Sequence, residues 1–402
     1  MSSKKTIFFI LCLSIFSSML GVGIISPLLP IYANTLGATG IELGIIFAGF
    51  SIARAISMPI IGKGSDRYGR KVFICIGLFI YALMSVGYAL SKTEYHLAIV
   101  RFLQGFAAGM IIPIATAYIG DLAPEGSEGR YIGYFYLSLF LGFGIGPLIG
   151  GFVSDYFGMK NSFYTMGGFN FVAFILASSF LPRVEVHRKK GVSHISYISM
   201  IKESGVIKGL LTFRISNAIT RGIFFCFLPI FAGIKLGLSS SKIGVLISAG
   251  FLITGILQAP GGRMADRFSK RRLILFGTIV DIVCLSLIPS MNSFSQLLTI
   301  CIIASTTRAF SLPSATAMIV GEGKRYGMGA SMGIFNMAMS VGMAGGPLIG
   351  GLVSDFIGVK FSFYFGAAIE LLGILFFARF TAQKVKKKRT HEITQIDTEF
   401  KL

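Results

Sequence analysis

Twelve apolar stretches, most of them about 20 residues long, dominate the sequence. A helix of that length crosses the roughly 30 Å hydrocarbon core of a bilayer. Only 13% of the residues are charged, whereas soluble chains carry roughly 25%. Such a composition excludes a water-soluble enzyme, a nucleic-acid-binding protein and a disordered chain. The predicted fold class is an all-α polytopic membrane protein, with twelve spans at residues 6–33, 41–62, 72–91, 96–120, 130–153, 161–181, 207–233, 241–262, 272–290, 294–320, 328–353 and 361–381.

The distribution of lysine and arginine predicts the orientation of these spans. With both termini in the cytoplasm, the cytoplasmic segments hold 27 basic residues and the outer loops hold five. The positive-inside rule therefore predicts cytoplasmic termini. The net charge of +20 then reflects topology, and the basic tail at Lys384–Arg389 is expected to lie against anionic lipid.

The five cysteines all fall inside apolar stretches, without CxxC spacing. This pattern argues against a disulfide framework or a metal site, and favours packing roles. The four histidines are scattered along the chain, and no outer loop is long enough for a catalytic site. We therefore expect a protein that is not an enzyme and that holds no metal and no cofactor.

The chain is internally duplicated. Residues 147–164 read PLIGGFVSDYFGMKNSFY and residues 347–364 read PLIGGLVSDFIGVKFSFY, which is 13 identities in 18 at an offset of 200. In transporters built from parallel repeats the substrate site lies between the halves, near the bilayer midplane. The predicted organisation is an N-terminal six-helix bundle (1–181), a basic cytoplasmic linker (182–206), a C-terminal six-helix bundle (207–381) and a basic tail (382–402).

A second repeated motif carries a family resemblance. Residues 62–71 read GKGSDRYGRK, and residues 262–271 read GRMADRFSKR. This resembles the signature that the major facilitator superfamily has after its second and eighth helices. The resemblance implies the major facilitator fold and a cytoplasmic latch formed by Gly62, Asp66, Arg67, Gly69, Arg70, Asp266 and Arg267. Gly62 is expected to let the turn approach its neighbours, and Asp66 to sit at a helix N-terminus. A purely topological basic turn is the alternative.

Two further motifs bear on the direction of transport. Residues 101–105, RFLQG, resemble the family motif in which an intramembrane arginine is linked to proton coupling. Residues 142–151, GFGIGPLIGG, resemble the antiporter motif, here Gly142, Gly146, Pro147, Gly150 and Gly151. Because the glycines recur every four residues and are repeated in the second half, simple helix packing is the alternative.

Five arginines lie within the spans, where each costs about 2.5–3.5 kcal/mol unless it faces water, a partner or a ligand. Arg214, Asn217 and Arg221 share one helix face, and their repeat mates Ser14, Ser17 and Gly21 form a small polar face. The family fold implies that both faces line the cavity. The predicted cavity residues are Arg54, Ser14, Ser18, Gln104, Arg214, Asn217, Arg221 and Arg308, with structural pairing or snorkelling as the alternative for the arginines.

Acidic residues within the spans are fewer. Asp281 lies in the middle of the ninth span, Asp121 at the end of the fourth, and Glu370 in the middle of the twelfth, where we expect a structural role. The chain is most similar to the twelve-helix drug/proton antiporters, including the tetracycline type, and this resemblance implies that Asp281, Arg101 and Asp121 take part in proton coupling. A fixed ion pair of Asp281 with an arginine is the alternative. The chain has Ser18 and Met84 where those antiporters have Asp, so tetracycline is not the expected substrate.

The sequence thus predicts a secondary active transporter of the cell membrane that works by alternating access. The favoured function is proton-coupled efflux of a drug-like or amphipathic small molecule. A carrier of an organic anion is the alternative, because the cavity arginines outnumber the acids and arginine cannot neutralise itself by losing a proton. The expected partners are the substrate, protons and membrane lipids, with no nucleic acid, and the family expectation is a monomer.

Overall fold

The computed structural model describes residues 4–122, 128–182 and 197–399. Within these residues, twelve helices are long and apolar enough to cross a membrane. This confirms the predicted all-α fold and the number of spans. The helices are α1 (Lys4–Thr35), α2 (Gly40–Tyr68), α3 (Arg70–Leu90), α4 (Glu94–Leu122), α5 (Glu128–Phe157), α6 (Met159–Phe180), the short α7 (Tyr197–Glu203), α8 (Gly205–Leu236), α9 (Ser240–Arg267), α10 (Lys270–Leu287), α11 (Phe294–Tyr326), α12 (Met328–Phe356) and α13 (Val359–Glu399).

Most spanning helices carry an internal proline, such as Pro27 and Pro30 in α1 and Pro147 in α5. In a membrane these positions are tolerated because neighbouring helices and side chains satisfy the backbone groups that proline leaves free. The helix ends follow local capping chemistry. Thr39 and Glu42 form a capping box at the start of α2, which satisfies two of the free N–H groups there.

Each half of the chain packs as its own set of helices. In the N-terminal half α1 packs against α5 and α6, and in the C-terminal half α8 packs against α12 and α13. Small residues allow these close approaches. A side chain at Gly146 would collide with the backbone carbonyl of Leu20 on α1, so only glycine fits this crossing of α5 and α1.

Two faces of the bundle are distinguished by the chain ends. We call the face with the start of α1 the terminal face, and the face with the α1–α2 turn the opposite face. The halves meet mainly through α2 with α12 and α5 with α9. Every hydrogen bond that joins the two halves in the described residues lies at the opposite face.

The predicted linker and tail are described only in part. Residues 183–196 lie outside the described residues, and α7 and the start of α8 occupy the rest of the predicted linker. Helix α13 continues beyond the predicted end of the twelfth span at residue 381 and reaches Glu399. The side chains of the basic tail from residue 383 onward lie outside the described part.

Candidate functional site: the interface between the halves and the charges at mid-depth

Two aspartates close the opposite face. Asp355, near the end of α12, accepts hydrogen bonds from the backbone N–H groups of Gly40 (2.6 Å) and Ile41 (2.8 Å) at the start of α2. Its repeat mate Asp155, near the end of α5, accepts from the N–H groups of residues 240 and 241 at the start of α9, at 3.0 and 2.9 Å. Each carboxylate therefore caps a helix N-terminus of the other half, where free N–H groups and the helix dipole favour negative charge.

The glycine-rich run of α5 allows close packing both within the N-terminal half and between the two halves. Side chains at Gly142, Gly146 or Gly150 would collide with α1 of the same half, whereas Gly151 lies against the start of α9 in the other half. The backbone of Pro147 also contacts α9, at Gly244. The second copy of the run behaves alike, since residues 342 and 346 lie against α8 and residue 351 against α2. The structure thus gives this motif a packing role in both halves.

The loop signature differs in detail from the prediction. Gly62 lies inside α2, and among the described residues a side chain there would meet no neighbouring segment within 4 Å. The described part of the chain therefore shows no close approach at Gly62. Gly69 is the residue that the turn requires, because its φ of 91° is strained for any other residue.

The other latch residues are distributed as follows. Arg70 is buried, whereas Arg67 is exposed with its guanidinium 5.3 Å from the Tyr68 ring. In the second copy, Asp266 and Arg267 are exposed at the end of α9. The side chains of Asp66 and Asp121 lie outside the described part of the structure, so both assignments stay predictions.

Arg101 is held inside the N-terminal half. Its Nη1 donates to Oε1 of Gln104 at 2.8 Å, and the same oxygen accepts from the Tyr88 hydroxyl at 2.8 Å. The guanidinium lies 4.3 Å from the centre of the Phe50 ring, a cation–π distance. Arg54 is half-buried and forms no hydrogen bond or ion pair within the described residues. Neither arginine has a carboxylate partner in this part of the chain.

The small polar face of α1 is placed differently from the prediction. The Ser17 hydroxyl donates to the carbonyl of Phe169 on α6, and a side chain at Gly21 would collide with Asn170 on α6. Ser14 bonds its own helix, and Ser18 is completely buried. This face therefore packs on α6 and does not line a cavity in this conformation, because the small residues serve helix contact. Gln104, at 0% exposure, is likewise buried within its half.

In the C-terminal half, charged and polar groups converge at mid-depth. Arg308 on α11 donates from Nη2 to Oδ1 of Asp281 on α10 at 2.7 Å. Asn217 on α8 donates to Oε1 of Glu370 on α13 at 2.9 Å. The second carboxylate oxygen of both acids is buried without a hydrogen-bond partner. We call Asn217, Arg221, Asp281, Arg308 and Glu370 the C-terminal polar cluster.

The two arginines of the predicted α8 face are separated. Arg214 contacts the Met339 sulfur at 2.8 Å and the Phe335 ring at 4.8 Å, so it packs against α12. Arg221 forms no hydrogen bond or ion pair in the described residues, and its guanidinium lies 5.7 Å from the Phe225 ring. Asn217 points to α13. Of the three, Arg221 is therefore the one whose polar atoms have no partner among the described residues.

Three phenylalanines link the halves at the depth of Arg221, a feature that the sequence analysis missed. Phe251 on α9 stacks on Phe143 of α5 with 4.8 Å between ring centres, and on Phe225 of α8 with 5.3 Å. The sequence shows that phenylalanine is abundant, but it does not show that rings from α5, α8 and α9 stack on one another. This aromatic stack and Arg221 together offer a flat apolar surface beside a positive charge.

Two cavities lie in the C-terminal half. One of about 10 Å³, room for about one water, is lined by Thr220, Asp281 and Arg308 among others. The larger, about 280 Å³, lies at the opposite face between α8 and α13 and is lined by mostly apolar side chains such as Phe231 and Phe361. The smaller cavity is therefore the one that adjoins the Asp281–Arg308 ion pair.

Comparison with known proteins decides the family. The sequence model of the Major Facilitator Superfamily matches residues 11–215 and 210–400. The chain belongs to this superfamily. Its members are transporters, so the protein is a multi-pass transporter of the plasma membrane.

Several known proteins of the superfamily resemble the chain over most of its length. It is 29% identical to an uncharacterized MFS-type transporter of Methanocaldococcus jannaschii, covering 92% of this chain and 97% of that one. It is 28% identical to multidrug resistance protein 1 of Bacillus subtilis (93% and 96%) and 26% identical to the quinolone resistance protein NorA of Staphylococcus aureus (91% and 94%). The structure of a bacterial homologue of the human lysosomal transporter Spinster superposes with a TM-score of 0.81 at 15% identity, covering 95% and 98%. That likeness shows the shared fold.

Proposed function

We propose that the protein exports a small amphipathic molecule in exchange for protons. The observation that carries this proposal is the C-terminal polar cluster, in which two carboxyl groups lie at mid-depth beside two arginines. Ionisable groups inside a membrane bundle mark ion and proton pathways. Similarity to multidrug and quinolone resistance proteins over more than nine-tenths of the chain supports efflux as the direction.

The positive-inside rule places the terminal face in the cytoplasm. The capped contacts at Asp155 and Asp355 then close the outer side, and this conformation faces inward. Such a state loads its cargo from the cytoplasm, as an exporter requires. The loop signature completes the cycle in this proposal, because Asp66 forms its latch when the cytoplasmic side closes. Asp66→Asn should then lower transport sharply while insertion stays normal, measured by efflux and by the amount of protein in the membrane.

Transport of an organic anion is the second candidate. Arg54, Arg101, Arg214 and Arg221 have no carboxylate within ion-pair distance in the described residues. A bound anion would compensate such a charge, and the phenylalanine stack would hold an aromatic ring. A quinolone unites both features, since it has a planar aromatic ring and a carboxylate.

Transport into everted membrane vesicles with an imposed pH gradient tests the proposal. The probes are norfloxacin (a quinolone), the cationic dye ethidium and the aromatic anion salicylate. Accumulation that depends on an acidic lumen supports proton-coupled export, and the preferred probe identifies the substrate charge. Salicylate transport that does not depend on the pH gradient would favour the anion carrier. No gradient-dependent accumulation of any probe would contradict drug/proton antiport.

A further inference from the structure

Glu370 is the one acid of the C-terminal polar cluster without a counter-charge of its own. It lies on α13 at 0% exposure, and its Oε1 accepts from Asn217 on α8. Its Oε2 is buried and has no hydrogen-bond partner. By contrast, the charge of Asp281 is matched by Arg308 at 2.7 Å.

The charged groups around Glu370 come from the helices packed near it. Helix α8 contributes Arg221, α10 contributes Asp281 and α11 contributes Arg308. Helix α12 has one charged residue among its described side chains, Asp355. This residue lies near the end of the helix, at the opposite face. Arg308 is already engaged by Asp281, and Arg221 is not within the 4 Å of an ion pair with Glu370. The neighbouring acid adds repulsion, and both arginines act on Glu370 only from beyond ion-pair distance, so no direct ion pair holds Glu370 in its charged form.

The repeat shows that this acid is not demanded by the fold. At an offset of 200, Glu370 corresponds to Asn170, whose side chain bonds the Met166 carbonyl of its own helix. Arg221 corresponds to Gly21 and Asp281 to Tyr81. The N-terminal half therefore packs the same helices with a neutral residue at this place, and the acid belongs to the C-terminal half alone.

We propose that Glu370 is the residue that carries the exchanged proton, an inference that rests on the proton coupling proposed above. A buried carboxylate without a cation or a full set of hydrogen bonds is unfavourable, and binding a proton removes the charge. In the outward-facing state water outside the cell gives a proton to the Glu370 carboxylate. In the inward-facing state the carboxylic acid returns that proton to cytoplasmic water, so one proton enters for each passage.

Two features near Glu370 serve this exchange in the proposal. A small cavity with room for about one water is lined by Asp281, Arg308 and Thr220, and the Thr220 hydroxyl donates to the carbonyl of Gly366, one turn before Glu370. Arg221 lies one turn beyond Asn217 on α8, so a shift of that helix brings an unpaired cation toward the carboxyl. Approach of that cation would favour release of the proton.

Infrared difference spectroscopy of the purified protein tests where the proton sits, without any substrate. The wild type should show the carbonyl band of a protonated carboxylic acid that disappears as the pH is raised. Glu370→Gln should lack this band, whereas Glu42→Gln, which changes an acid at the start of α2, should keep it. Should Glu370→Gln fail to fold, Glu370→Asp provides the test, because the band must then shift in frequency. A band unchanged in the Glu370 variants would overturn the proposal.

Vesicle transport then separates this inference from the antiport proposal. In Glu370→Gln, norfloxacin accumulation driven by the pH gradient should fall about tenfold or more, while exchange of labelled for unlabelled norfloxacin stays within about twofold. Gradient-driven accumulation equal to wild type would refute Glu370 as the carrier and leave antiport standing. The remaining outcome is that the infrared band of Glu370 depends on pH but transport by the wild type does not depend on the pH gradient. That outcome would refute antiport and, with it, an exchanged proton at Glu370.

Discussion

Removing the two aspartate caps should shift the protein toward a state that is open at the opposite face. Asp155 and Asp355 each accept two backbone N–H groups across the halves, and these bonds exist only while the opposite face is closed. Replacing a capping carboxylate with alanine costs typically about 1 kcal/mol. Because both carboxylates are exposed, water compensates part of the loss. We therefore expect up to about a fivefold shift for either single alanine variant and up to about 30-fold for the double variant.

Distances between spin labels measure this equilibrium. Lys92 and Asn292 are exposed repeat mates in opposite-face turns of the two halves, so a label pair there reports separation of the halves. Cys12 and Cys75, which are only half-buried, are replaced with serine to prevent stray labelling. The long-distance fraction should rise in the order wild type, single variants, double variant.

A matched control distinguishes a bond between the halves from an ordinary helix cap. Glu42 caps the same helix start as Asp355, but its bonds go to Thr39 within the N-terminal half. Glu42→Ala should therefore leave the distances unchanged. Equal distances in the wild type and the double variant, or a shift in Glu42→Ala as large as in Asp355→Ala, would refute the reasoning.

Three further outcomes are expected. Asp281→Asn should lower transport into vesicles strongly, because it leaves Arg308 without its partner. The double variant Asp281→Asn, Arg308→Gln should recover part of this transport, and no recovery would argue that Asp281 acts beyond this pair. Gly146→Ala should lower the melting temperature of the purified protein, at a cost of about 1–3 kcal/mol from overpacking, whereas Gly168→Ala, with nothing within 4 Å of the new methyl group, should not. Arg221→Cys should react with a small water-soluble thiol reagent, and norfloxacin should slow the reaction; an inert cysteine would place position 221 in protein packing.

The arginines and acids of the spans show where sequence reasoning about the site stopped. Their presence in lipid indicated that each needs water, a partner or a ligand, but Asp281 and Arg308 are 27 residues apart on different helices. Proton coupling at Asp281 and a fixed ion pair both fitted the sequence. Only the packing of α10 on α11 brings the pair to 2.7 Å, and only the packing of α13 on α8 leaves Glu370 without a direct ion pair.

The sequence by itself determined the number of spans, the duplication and the membrane environment, because the thickness of the bilayer fixes how long an apolar helix must be. It also contained Asp155 and Asp355 in the repeated segment, without any sign that they bind the other half. Ser17 and Gly21 show the same limit, since a small polar face suits a cavity and a helix contact equally. The tertiary structure decided these cases, because the direction of a helix face depends on how distant helices pack, and periodicity within one helix carries no information about its neighbours.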